Sequence, residues 1–156
     1  MESEKIKSII KEFISKLGVS HESVEETKAK NGDGDKIQFT IKTAESGVLI
    51  GAKGTHFSAL NHLLRKIVAK QLGETAPAFF VDVNDYREGL LSDLKTKVGI
   101  LRERAISFKT NVEMEPMSSY ERMLVHTLCE GHPNIKTESL GEGPMRRVVI
   151  KYVESV

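Results

Sequence analysis

A chain of 156 residues, 39% hydrophobic and 29% charged, is long enough for one full-sized domain or for two small ones with modest cores. Its single cysteine, Cys129, excludes an internal disulfide and any zinc site built on more than one thiolate, and a net charge of +1 gives no global basic signal for nucleic acid, so local charge must carry any such argument. No apolar run approaches the roughly 20 residues of a bilayer span, and MESEKIKSIIKEF lacks the basic-then-apolar form of a secretory signal, so the expectation is a cytoplasmic protein with no membrane insertion.

In chain order, Ile6, Ile9, Ile10, Phe13, Ile14 and Leu17 recur at helical spacing up to Gly18. Two strand-like runs follow in SVEETKAKNGDGDKIQFTIKT, and Asn31-Gly32-Asp33-Gly34 between them predicts an antiparallel hairpin. Ser46 to Leu49 is too short for a lone helix, yet beyond Ile50-Gly51-Ala52-Lys53-Gly54 a three-four pattern resumes through Phe57, Leu60, Leu64 and Val68. Pro77 closes that segment, and Ala78 to Val83 reads as a buried strand. Asp85 with Glu88 forms a capping-box pattern that opens a long helix with an apolar stripe from Leu90 to Ala105. Val112 to Met114 is a short strand candidate, and Ser118 with Glu121 is a second capping box before a helix that Gly131 stops. Asn134 to Leu140 and Arg146 to Val153 alternate as strands joined by the glycine-rich GEGPM.

The two glycines around Lys53 let a polymer backbone come within contact distance, because no Cβ stands in the way. If the long helix starts at Gly54 or Thr55, its free N–H groups and positive dipole end face the same place. Residues 45 to 72 carry Lys53, Arg65, Lys66 and Lys70 against Glu45 alone, so positive charge gathers near the tetrad in sequence. The tetrad by itself fits a tight helix-helix turn equally well. It is neither a Walker loop nor a dinucleotide fingerprint, so nucleotide hydrolysis has no support.

The order α-β-β-α-α-β with Gly-x-x-Gly between the last two helices resembles a type II KH domain. That resemblance implies that Gly51, Ala52, Lys53 and Gly54 clamp a nucleic-acid backbone, above an apolar groove for about four single-stranded bases. Val48, Ile50, Phe57 and Ile41 are the groove candidates, and His56 and His62 are expected at the surface.

In PMSSYERMLVHTLCEG, Arg122 and His126 lie four residues apart and share a helix face, with Tyr120, Leu124 and Leu128 expected on the opposite, buried side. From periodicity alone such a pair is usually a solvated face. The surrounding EMEPM, YER, TES, GEGP and RRVVI, over about residues 112 to 153, resemble an R-three-H domain, named for an Arg and a His separated by three residues. Together the halves resemble the bacterial Jag family, the SpoIIIJ-associated proteins also called EloR or KhpB.

This resemblance implies an α+β fold, with a type II KH domain (1–84), a connecting helix (85–109) and a small α/β R-three-H domain (110–156). It implies binding of single-stranded RNA or DNA without catalysis or cofactor, partnership with a small single-KH protein, and control of cell elongation, envelope or sporulation. Arg122 would grip phosphate in a bidentate fashion, and His126 would donate to phosphate or stack on a base. Arg146 and Arg147, on opposite faces of a strand, would divide the work, one touching nucleic acid and the other pairing with Glu138 or Glu142. Members of the family often carry a further amino-terminal domain, whose functions are not carried over. Two other readings are a protein-only adapter using the groove, and a phosphodiester-cleaving enzyme using His126 with Glu121 or Glu130. The enzyme reading lacks metal-ligand spacing and an activated nucleophile. Gly51→Asp or Lys53→Asp, or better a double aspartate at Ala52 and Lys53, is expected to weaken RNA binding with the fold intact.

Overall fold

Ile6, Ile10 and Ile14 are buried along one face of Glu2–Lys16 and make it the amphipathic helix α1. In the computed structural model, which describes residues 1–28 and 34–154, the chain divides into two units, Met1–Arg87 and Glu88–Val156. In the first unit β1 (Ser23–Lys28) pairs antiparallel with β2 (Ile37–Lys42), with Val24 opposite Ile41 and Glu26 opposite Phe39. The expected turn residues Asn31, Gly32 and Asp33 lie outside the described residues. Strand β3 (Phe79–Val83) runs parallel to β2, with Phe39 opposite Val81 and Ile41 opposite Val83. A parallel pair needs a crossover, and the chain makes it with α2 (Ser46–Ile50), a 3-10 turn (Ala52–Gly54) and α3 (Thr55–Leu72). The tetrad therefore sits inside the crossover of a three-stranded sheet whose inner face packs on α1 and α3. This is the α-β-β-α-α-β order anticipated from the sequence.

All five residues of β3 are buried. Phe79, Val81 and Val83 belong to the core, while Phe80 and Asp82 alternate to the other face, where the Arg87 guanidinium lies 3.9 Å above the Phe80 ring. After β3 two consecutive residues, Asn84 (φ 49°) and Asp85 (φ 58°), adopt the left-handed conformation. Asn and Asp tolerate it better than other side chains. The Asn84 amide locks the turn by donating to the Thr43 carbonyl at 2.7 Å and accepting from the Thr43 N–H at 3.0 Å.

That turn overturns the capping box at Asp85. A capping residue needs extended backbone, and Asp85 instead pairs with Lys42 at 3.3 Å. The N–H of Arg87, in the first turn of the next helix, is taken by Asp82, whose Oδ1 also accepts from the N–H of Val83. Desolvation by burial raises the Asp82 carboxyl above its ordinary 3.8, against the lowering pull of those two N–H groups and of Arg87. A raised folded value means that the stability Asp82 contributes is full below the ordinary value and is lost as pH rises through the folded one. Urea unfolding at stepped pH should show wild type losing ground against Asp82→Asn as pH climbs through that window. A difference independent of pH would mean that the carboxyl titrates alike folded and unfolded.

The second unit is built on α4 (Tyr86–Phe108) from Glu88 onward, β4 (Val112–Glu113), α5 (Ser119–Cys129), β5 (Ile135–Leu140) and β6 (Arg147–Tyr152), with sheet order β4-β6-β5 and both pairings antiparallel. The apolar stripe of α4 is part of this core: Leu94, Val98 and Ala105 pack with Val125, Val148 and Ile150. The segment expected as a connector is thus mostly a wall of the second unit, because its stripe has a sheet and a helix to bury against. Ser118 caps α5 as anticipated, accepting from the Glu121 N–H at 3.2 Å and donating to Glu121 Oε1 at 3.1 Å. At the other end of α5, Arg102 donates to the Leu128 carbonyl at 3.2 Å, where a cation suits the helix dipole. Burial pushes the Cys129 thiol up, which disfavours the reactive thiolate. Among the described residues no helix is long and apolar enough to cross a membrane.

Candidate nucleic-acid interface

The tetrad in the first unit is held by its own backbone and by two side chains beneath it. Gly51 has φ 71° and Gly54 has φ 74°, both in the region that favours glycine. Space reinforces the requirement. A Cβ on Gly51 would lie 2.6 Å from Cγ of His56, and one on Gly54 would lie 2.7 Å from the Tyr86 hydroxyl oxygen. His56 is fixed there because its Nδ1 donates to the Val48 carbonyl at 2.9 Å. The Gly54 N–H closes the turn on Gly51 O at 3.3 Å, and the Thr55 hydroxyl donates to Ala52 O at 3.0 Å. The result presents Ala52 and Lys53 outward, both exposed, with Lys53 itself left-handed at φ 55°.

The charge that gathers here in sequence does not gather here in space. Arg65 follows Gly54 by eleven positions of α3, about 16 Å along the helix. Lys53 is the cation carried by the tetrad itself.

Of the groove candidates, Val48 is 55% exposed and Ile50 and Phe57 are half-buried, but Ile41 is fully buried on the inner face of β2. Ile41 belongs to the core, since its strand position is even with Phe39 and opposite Val83. His56 and His62 are exposed, as anticipated. The sequence reading missed Tyr86, whose ring meets Phe57 edge-on at 4.9 Å between centroids and whose hydroxyl abuts Gly54. Its place depends on the left-handed turn at Asn84 and Asp85, which no periodicity reveals.

In the second unit Arg122 and His126 are both half-buried on α5. The buried residues of this helix are Val125 and Cys129, not the Tyr120, Leu124 and Leu128 row, so the pair borders the core and does not oppose it. Arg122 grips the chain just before its own helix, donating through Nη1 to the Met117 carbonyl at 2.7 Å and through Nη2 to the Ser119 hydroxyl at 3.1 Å. The Met117 N–H in turn donates to the Arg146 carbonyl at 3.2 Å, and the Arg146 guanidinium is anchored on Gly141 O at 2.8 Å. Met117 thus joins Arg122 to the loop that carries Arg146.

Arg147 goes elsewhere. It begins β6 and forms an ion pair with Glu113 of β4, while Glu138, one of the acids expected to pair with an arginine, is held by Lys151. The cause is the register, which puts β4 on one side of β6 and β5 on the other. Both ring nitrogens of His126 are occupied, Nδ1 by the Thr137 hydroxyl at 2.6 Å and Nε2 by the Ser139 hydroxyl at 3.0 Å. It is not the freely donating side chain expected from sequence.

The family model of the R-three-H domain matches residues 98–152, which takes in the carboxy-terminal half of α4 and the whole sheet. Three similar proteins each bear the name RNA-binding protein KhpB. The one from Bacillus subtilis is 31% identical over 86% of this chain and 62% of its own length. The one from Clostridium symbiosum is 29% identical over 74% of this chain and 51% of its own length, and the one from Lactiplantibacillus plantarum 32% over 72% and 34%. The chain therefore spans about half the length of the curated relatives it matches. Residues 98–152 form an R-three-H domain, and the chain is a homologue of the KhpB proteins.

Proposed function

We propose that this chain is a cytoplasmic, non-enzymatic regulator that binds single-stranded RNA through two surfaces, the Gly51–Gly54 tetrad and the Arg122 and Arg146 side of the R-three-H domain. The carrying observation is similarity over 86% of the chain, too long to fall within one unit, to a protein named for RNA binding. Two features support it. The tetrad offers bare backbone and an outward lysine, and Arg122 keeps three of its five N–H donors beyond those given to Met117 and Ser119. Two weak surfaces on one chain raise each other's effective concentration. Association with a small single-KH protein, and control of elongation, envelope or sporulation, belong to this reading through the Jag resemblance.

Fluorescence anisotropy with a short labelled RNA, and with DNA of the same sequence, over a range of salt tests it. Affinity should fall linearly in log–log form with salt, and the RNA should be recovered intact. Arg122→Ala is expected to lose about tenfold in affinity and to flatten the salt slope by about 0.7, the share of one single-strand phosphate. Arg122→Lys should restore the slope but not the full affinity, because it keeps the charge and loses the planar fork. A folded Arg122→Ala protein with wild-type affinity would remove the second surface from the reading.

A further inference from the structure

The occupied ring of His126 has a chemical consequence for the strand at its surface. Thr137 and Ser139 are two apart on β5, so their side chains share a face, and both are half-buried against the imidazole. To donate to a phosphate, His126 would have to give up one of these bonds, leaving a hydroxyl to find another partner. One of the hydroxyls has no such conflict. Each carries one donor and two acceptor sites, while a neutral imidazole supplies one N–H and one acceptor nitrogen. One hydroxyl therefore donates to the ring, and the other accepts from it and keeps its own O–H free.

We propose that His126 is a positioning residue that fixes the Thr137 and Ser139 hydroxyls, and that the one accepting from the ring gives its free O–H to a phosphate oxygen of a single strand beside the charged contact of Arg122. Resting on the function proposed above, this moves the contact from the imidazole to the hydroxyl pair of β5, one member of which donates. Arg122 and His126 then do different work although they share a helix face: the first brings charge, the second brings order. A hydroxyl contact releases no counterion, so it adds affinity without adding salt dependence.

The test uses the full chain and a short labelled RNA, with melting followed on the same samples. Thr137→Val with Ser139→Ala should weaken binding about tenfold and leave the salt slope at its wild-type value, in contrast to Arg122→Ala. The conservative Thr137→Ser and Ser139→Thr variants should stay within about twofold of wild type, since each retains its hydroxyl. His126→Ala should weaken binding as much as the double hydroxyl variant, and combining all three should cost nothing more, because the ring acts through the hydroxyls. Additive losses would overturn the proposal and make His126 a direct contact. So would a folded Thr137→Val, Ser139→Ala protein that binds like wild type. If the triple variant does not fold, Thr137→Val against Thr137→Ser and Ser139→Ala against Ser139→Thr decide, because equal affinity within both pairs removes the hydroxyl contact. Absence of RNA binding by the wild type would sink the proposed function itself, whereas loss on Arg122→Ala with no loss in the hydroxyl variants would leave that function standing and remove only this assignment.

Discussion

Replacing Ala52 and Lys53 together by aspartate is expected to weaken binding of a short RNA by about thirtyfold while the melting temperature stays close to wild type. The tetrad turns both residues outward, and both are exposed. Exposed substitutions of this sort usually change stability by no more than about 0.5 kcal/mol. Lys53 holds a left-handed φ of 55°, a conformation aspartate tolerates better than most side chains. Binding is another matter. Each acid opposes phosphate where a cation or an uncharged methyl stood, at a cost on the order of 1 kcal/mol per position, and two such costs compound to the stated factor. Gly51→Asp, which the sequence suggested as an equivalent probe, does not qualify. Its Cβ would meet His56 at 2.6 Å with φ at 71°, so weakened binding in that variant would report a deformed loop. Anisotropy and thermal melting on one sample read both quantities, and wild-type affinity in the folded double aspartate would end the case for the tetrad as a clamp.

The contrast between these two variants shows where the sequence is informative. That a loop interrupts the helical pattern at Gly51–Gly54 is legible, because apolar periodicity fails there and resumes at Phe57. That Gly54 must be glycine for want of space is not legible, since Tyr86 reaches it from 32 positions away around a left-handed turn. The Asp85 capping box failed for a related reason: a spacing of three residues matches the motif but does not disclose that Asp85 is left-handed. On α5 the apolar residues Met123, Leu124, Val125, Leu128 and Cys129 cover a broad face, and which part meets the sheet is decided by the sheet. The same holds for Arg147. Its alternation with Arg146 is a sequence fact, but its partner Glu113 follows from the order β4-β6-β5, which pairing alone establishes.

Asn61→Leu is expected to destabilise the first unit by about 3 kcal/mol, the largest stability loss among these variants. Asn61 sits in the apolar stripe of α3, one position after the buried Leu60, where a polar residue looks like a breach of the pattern. Strand β3 explains it. Among the described residues that strand has a hydrogen-bonding neighbour, β2, on one side only, so at its other edge the backbone of Val81 faces α3 with no strand to pair with. The Asn61 amide does what a strand would do there: its Oδ1 accepts from the Val81 N–H at 2.8 Å and its Nδ2 donates to the Val81 carbonyl at 2.9 Å. A third bond, from Nδ2 to Phe57 O at 3.2 Å, ties the same amide to its own helix. Leucine has the same number of side-chain heavy atoms and more apolar surface, so a simple hydrophobic count predicts a gain. It would leave two buried backbone groups unpaired, each costing about 1 to 3 kcal/mol, and that loss exceeds the gain from the extra apolar contact. Asn61→Asp separates the two terms, since a carboxylate can still accept from the Val81 N–H but faces the Val81 carbonyl with no donor when ionised. Amide hydrogen exchange at Val81 reads the effect locally: protection should collapse in Asn61→Leu well before protection in the second unit changes. Wild-type protection at Val81 in the leucine variant would show that the edge of β3 is satisfied by other means.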